Sequence, residues 1–181
     1  MVRQSRAKKP NITITAEDKI LNELKAWSQS RGLSMNSLIN EILAKNTSFF
    51  KYVEAHECMI IPSTIFSHII KLLPDKALTD LSNQSTHEII QSIFAHNNIP
   101  YTMESMIRFY FEGIGLWSGM YTIFKHYTDM GIINLVFEHK YGIKWSKVLS
   151  HTVSDLIEKM LNQSSTSKIH PNTVIVQVKE K

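Results

Sequence analysis

Polar and apolar positions alternate with period two at the start of the chain, where Asn11, Thr13 and Thr15 bracket Ile12 and Ile14. β-Branched residues at that period predict a half-buried strand. The period then lengthens. Ile20, Leu21, Leu24 and Trp27 fall on one helical face, behind Glu17 and Asp18, whose charges suit the positive end of a helix. Gly32 predicts the stop of that helix, because glycine accepts the left-handed conformation of a C-terminal cap. Ser34 predicts the N-cap of a second helix, which buries Leu38, Ile39, Ile42 and Leu43 and runs toward Phe50.

Beyond residue 50 the pattern is mixed. Met59 to Ile61 reads as a short strand or the end of a linker, and residues 62–73 and 75–96 read as helices broken at Pro74. Residues 102–117 are helical in period, with Gly113, Gly115 and Gly119 loosening the end. Residues 121–128 and 132–139 flank Asp129-Met130-Gly131, a hairpin signal that puts Phe124, Ile133, Leu135 and Phe137 on one buried face. A helix over 143–161 carries the stripe Trp145, Val148, Leu149, Thr152, Val153, Leu156, Ile157 and Met160. Residues 162–168 read as a polar loop, and 173–178 as a last strand. The expectation for this part is a small antiparallel sheet with helices on one face.

Charge changes the picture more than composition does. The chain has 181 residues and a net charge of +4. Residues 1–50 hold eight Lys/Arg (Arg3, Arg6, Lys8, Lys9, Lys19, Lys25, Arg31, Lys45) against four acids (Glu17, Asp18, Glu23, Glu41), so the whole excess lies there. Residues 1–10 lack apolar periodicity and read as a flexible basic arm. Such asymmetry points to an anionic partner. The single cysteine, Cys58, excludes an intrachain disulfide and suits a reducing, cytoplasmic setting. No apolar run approaches the ~20 residues of a membrane helix, and no apolar segment follows the basic start as in a signal peptide.

A strand, a helix, a glycine turn and a second helix make a unit too small to bury a stable core alone, so dimerisation is expected. In sequence, Asn11-Ile-Thr-Ile-Thr followed by residues 16–39 resembles the CopG/Arc/MetJ ribbon-helix-helix family of DNA-binding proteins. The resemblance spans about residues 10–47 and implies that two chains pair their strands into a ribbon that enters the DNA major groove. With Ile12 and Ile14 facing the helices, Asn11, Thr13 and Thr15 would face the bases. The start of the second helix, at Ser34, Met35 and Asn36, would meet the DNA backbone, and Arg3, Arg6, Lys8 and Lys9 would follow neighbouring phosphates.

The stretch His139-Lys-Tyr-Gly142-Ile-Lys-Trp145-Ser146 is similar to a segment of archaeal ribbon-helix-helix proteins that carry an extra C-terminal domain. That implies an archaeal regulator. The residues themselves read more simply as a strand-to-helix turn with Trp145 in the core. No phosphate loop, dinucleotide fingerprint or Gly-x-Ser-x-Gly is present, so no catalytic residue and no cofactor is assigned. His56 and Cys58 lack a partner pair at zinc-type spacing, and His126 and His139 fall too far apart in the hairpin to share a metal.

The sequence thus predicts an α+β chain: a basic arm (1–10), a ribbon-helix-helix DNA-binding and dimerisation domain (11–50), and a mainly helical C-terminal domain with a small antiparallel sheet (51–181) that regulates or interacts. The expected function is a homodimeric transcriptional regulator, a repressor, bound to double-stranded DNA, with a small-molecule effector or protein partner at the C-terminal domain. The alternatives are the antitoxin of a toxin-antitoxin pair, and a ligand-binding protein that uses its N-terminal unit only to dimerise.

Overall fold

The computed structural model describes residues 13–55, 60–83 and 86–179 and divides the chain into two compact units, Met1–Ala44 and Lys45–Lys181. The order of elements in the first unit corrects the expected architecture. Residues 13–17 are extended but join no sheet, and the unit is built on helices, α1 (Asp18–Ser30) and α2 (Met35–Lys45). Among the described residues there is thus no ribbon strand before the helices, which corrects the expected ribbon-helix-helix fold. Alternation makes a segment fit to be a strand. A strand also needs a neighbour for its N–H and C=O groups, and the four-stranded sheet of this chain lies wholly near the C-terminal end. The run instead leads into α1, whose N-cap, Glu17, is itself extended at φ −62°, ψ 147°.

The link between the two helices follows its sequence closely. Gly32, at φ +63°, donates to Gln29 O at 3.1 Å, and the Leu33 amide reaches back to Ser28 O at 2.9 Å. These two bonds form a Schellman cap, which needs a residue in the left-handed region at Gly32. Ser34 Oγ accepts from the Ser37 amide at 3.1 Å, capping α2. An Arg31–Glu41 ion pair at 2.9 Å joins the two helices. Yet Ser28 and Leu38 are the buried residues of the pair, while Ile14, Ile20, Trp27 and Leu43 stand 43–55% exposed.

The second unit holds the core. A π-helical turn (Asn46–Phe50) and α3 (Lys51–Ala55) come first, then α4 (Ser63–Leu72), α5 (Asp75–Asn83) and α6 (Thr86–His96). Ile60 and Ile61 are exposed and form no strand, so the linker-end reading of that stretch holds for its described part. Next come α7 (Met103–Ser105), a π-helix (Met106–Gly115), β1 (Ile123–Asp129), β2 (Ile132–Glu138), α8 (Ile143–Leu161), β3 (Ser165–His170) and β4 (Thr173–Lys179). The sheet order is β1-β2-β4-β3, antiparallel throughout. β2 and β3 are thus parallel, with β4 between them and α8 as the crossover, a split β-α-β arrangement.

Met130 and Gly131, at φ +46° and +73°, make the tight β1–β2 turn, and Phe124 pairs with Phe137 as the hairpin reading required. Leu135, Phe137, Val174, Val176 and Val178 pack beneath the sheet with Leu149, Val153, Leu156, Ile157 and Met160 of the α8 stripe, every member of which is buried. Every described residue of the expected 75–96 helix is helical, in α5 and α6. One expectation here needs correction: the 162–168 loop contains most of β3. β3 is a polar edge strand, Ser-Thr-Ser-Lys-Ile-His, largely exposed and held on one side by β4. Its pairing partner creates it, and no hydrophobic alternation announces it.

Phe111, Tyr121, Phe124 and Phe137 form an aromatic knot with ring centroids 5.0–6.1 Å apart. Tyr121 donates its hydroxyl to Phe111 O at 2.6 Å, and burial pushes its ionisation well above the ordinary range. Gly115 makes this contact fit, because a β-carbon there would collide with the Tyr121 hydroxyl and ring. Gly115→Ala is therefore expected to destabilise the second unit by about 2–4 kcal/mol, combining overpacking with the lost buried hydrogen bond. Chemical denaturation of the full chain checks this, and an unchanged midpoint would contradict the packing described.

Candidate nucleic-acid interface and the His139–Ser146 junction

The residues proposed from sequence to meet DNA all fall in the first unit. Thr13 and Thr15 are exposed on the extended lead-in to α1. Arg3, Arg6, Lys8, Lys9 and Asn11 lie outside the described residues, as do His56 and Cys58. Ser34 and Asn36 are exposed and Met35 is half-buried at the start of α2. There the cap takes up the Ser37 amide, whereas helix geometry gives the Met35 and Asn36 amides no carbonyl within the helix. Asn40 Nδ2 donates to the Asn36 backbone carbonyl at 2.7 Å and to Asn36 Oδ1 at 3.2 Å, so the Asn36 side chain sits in a local pair.

Electrostatics separates the helices from the segment before them. Between residues 13 and 45 four cationic side chains (Lys19, Lys25, Arg31, Lys45) face four acids (Glu17, Asp18, Glu23, Glu41), and Arg31 is already paired with Glu41. The helix pair and its lead-in are thus neutral. The positive excess belongs to Arg3, Arg6, Lys8 and Lys9. A charge count over the first 50 residues had not shown this partition.

In the second unit the His139–Ser146 stretch is a structural junction. The His139 amide donates to Asn172 O at 2.9 Å, and the Gly142 amide, at φ +82°, donates to Asn172 Oδ1 at 3.1 Å. Lys144 Nζ donates to Lys71 O and Leu73 O at 3.1 and 2.7 Å, taking up carbonyls at the end of α4. Trp145 is buried against Phe66 and Tyr141, and its Nε1–H donates to Met120 O at 2.8 Å. Each distinctive residue of the segment is used to join β2, α8, α4 and the β3–β4 turn.

His139 and Ser146 superficially suggest a catalytic pair, with Nε2 and Oγ 2.8 Å apart. The direction of the bonds says otherwise. His139 Nδ1 accepts from the Tyr141 amide at 3.2 Å, so the ring proton sits on Nε2 and is donated to Ser146 Oγ. The serine gives its own proton to His170 O at 2.6 Å. A nucleophilic serine must donate to an imidazole base; here it accepts from the imidazole, and it is fully buried.

Burial lowers the His139 imidazole from 6.5 to about 4. The unfolded chain therefore binds this proton more readily than the folded one. The contribution to stability is complete above about pH 6.5 and is lost as pH falls toward 4, amounting to at most about 3 kcal/mol. His139→Gln should flatten the fall in stability between those pH values. Equal acid slopes for both proteins in denaturant titrations would contradict this.

Comparison with known proteins adds no relative: no family model, curated protein or solved structure matches this chain. Among the described residues, no helix is long and apolar enough to cross a membrane.

Proposed function

We propose that the protein is a homodimeric, DNA-binding transcriptional regulator, a repressor acting on a two-fold related site, with both DNA contact and dimerisation in its first 45 residues. The observation that carries this reading is the composition of that unit. A segment with four cationic side chains and no acid precedes a helix pair that leaves Ile14, Ile20, Trp27 and Leu43 exposed. Two short helices cannot bury those side chains between themselves, and a second copy of the unit offers the same apolar face in return. The cations before it supply phosphate affinity that carries no sequence information.

Base reading on this proposal falls to Thr13 and Thr15, exposed polar side chains before α1, with Asn11 beside them in sequence. A threonine can offer a hydroxyl to a base edge or its methyl to thymine. Selection from a random duplex library should return a two-fold related motif. Thr13→Ala should then weaken binding to that motif at least about tenfold, since each dimer loses two contacts of roughly 1–3 kcal/mol. Affinity for scrambled duplex at the same salt should hardly move. Equal losses on both duplexes, or none on either, would remove Thr13 from base reading.

A further inference from the structure

One face of α4, carrying Ser63, Thr64, Ser67, His68 and Lys71, combines with Lys140 and Tyr141 to line a shallow cleft of about 230 Å³. Its walls are firmly held. The other face of α4 packs Phe66 and Ile70 into a cluster with Tyr141 and Trp145, and the Tyr141 hydroxyl donates to Gly119 O at 2.8 Å. The cleft brings together two ammonium groups, an imidazole and the hydroxyls of Ser63, Thr64 and Ser67, beside the Tyr141 ring whose own hydroxyl is bonded to Gly119 O, and no carboxylate lines it.

The neighbouring groove shows the contrast. There Lys144 and Lys147 both meet Asp75, at 3.9 and 3.1 Å. Among the described residues Lys71 and Lys140 join no ion pair. Like charges gathered at one cleft without a counter-charge favour an anionic occupant, and ammonium groups with hydroxyls suit an oxyanion. We propose that this cleft binds the phosphate group of a small phosphorylated molecule. Its volume lies below that of sites for drug-sized ligands, which favours a phosphate on a short organic body over a whole nucleotide. The site stands in the second unit and does not depend on the DNA-binding reading.

The test is a nuclear magnetic resonance titration of the isotope-labelled full chain, with inorganic phosphate and then ethyl phosphate as probes. Saturable shifts are expected at residues 63–71 and 140–141. The Lys71→Gln/Lys140→Gln double variant, with an otherwise unchanged spectrum, should weaken binding about tenfold or more, because two charge-assisted contacts are lost. Lys147→Gln, which alters the paired groove, should leave binding as it was. The proposal is overturned if neither probe saturates by about 20 mM, a range that already covers weak millimolar sites. It is equally overturned if the double variant binds both probes as tightly as the parent. A third contrary result is loss of duplex DNA binding in the double variant while neither probe binds the parent; that would assign the cleft to a nucleic-acid backbone.

Discussion

Deleting residues 2–9 should weaken binding to every duplex DNA and make its salt dependence shallower. The deletion removes Arg3, Arg6, Lys8 and Lys9, four positive charges per chain and eight per dimer. Each phosphate contact releases counterions and adds about 0.9 to the slope of log affinity against log salt, so full engagement of all eight would lower the slope by roughly 7. At about 50 mM salt the expected loss is two to four orders of magnitude, the scale on which multi-phosphate binders respond to salt. The helix pair cannot compensate, because the four cationic side chains of residues 13–45 are balanced by four acids. Titrations of parent and deletion protein at several salt concentrations measure the effect. An unchanged slope would show that the segment does not touch DNA.

Trp145→Ala should cost about 3–5 kcal/mol, the range for removing a large buried aromatic side chain. The indole packs edge-on to Phe66 at 4.9 Å, and its Nε1–H serves the Met120 carbonyl, which would be left without that donor. Urea denaturation followed by circular dichroism should show the loss in the second unit. Below the transition, DNA affinity should stay at the parent value, since the junction at residues 139–146 joins elements of the second unit and the proposed DNA contacts lie in the first. A stable Trp145→Ala protein that had lost DNA binding would move that junction from scaffold to interface.

Local chemistry was legible where the residues concerned decide the outcome among themselves. The α8 stripe from Trp145 to Met160, the Met130-Gly131 turn, the Gly32 stop and the Ser34 cap all depend on neighbours within a few positions. The expected strand at 11–15 is not formed in its described part, residues 13–15, for the opposite reason: ladder formation depends on a second strand, and alternation says nothing of whether one is there. β3 was missed on the same principle, since β4 supplies its hydrogen bonds while its own side chains remain polar and exposed. In the candidate site, the concentration of charge was visible, but its separation from the neutral helices emerged only once the helix bounds were known. The His139–Ser146 bond and its reversed direction were not legible, because they depend on the Tyr141 amide and the His170 carbonyl converging from different elements.

Sedimentation of the full chain with a labelled duplex, at about 0.1 M salt where exposed charges still act over a Debye length, tests the central claim most directly. The account predicts a dimer that carries one duplex, with both dimerisation and binding abolished by Trp27→Lys, whose charge would fall on the apolar face of α1. A chain that stays monomeric at micromolar concentration and leaves every duplex free would contradict it.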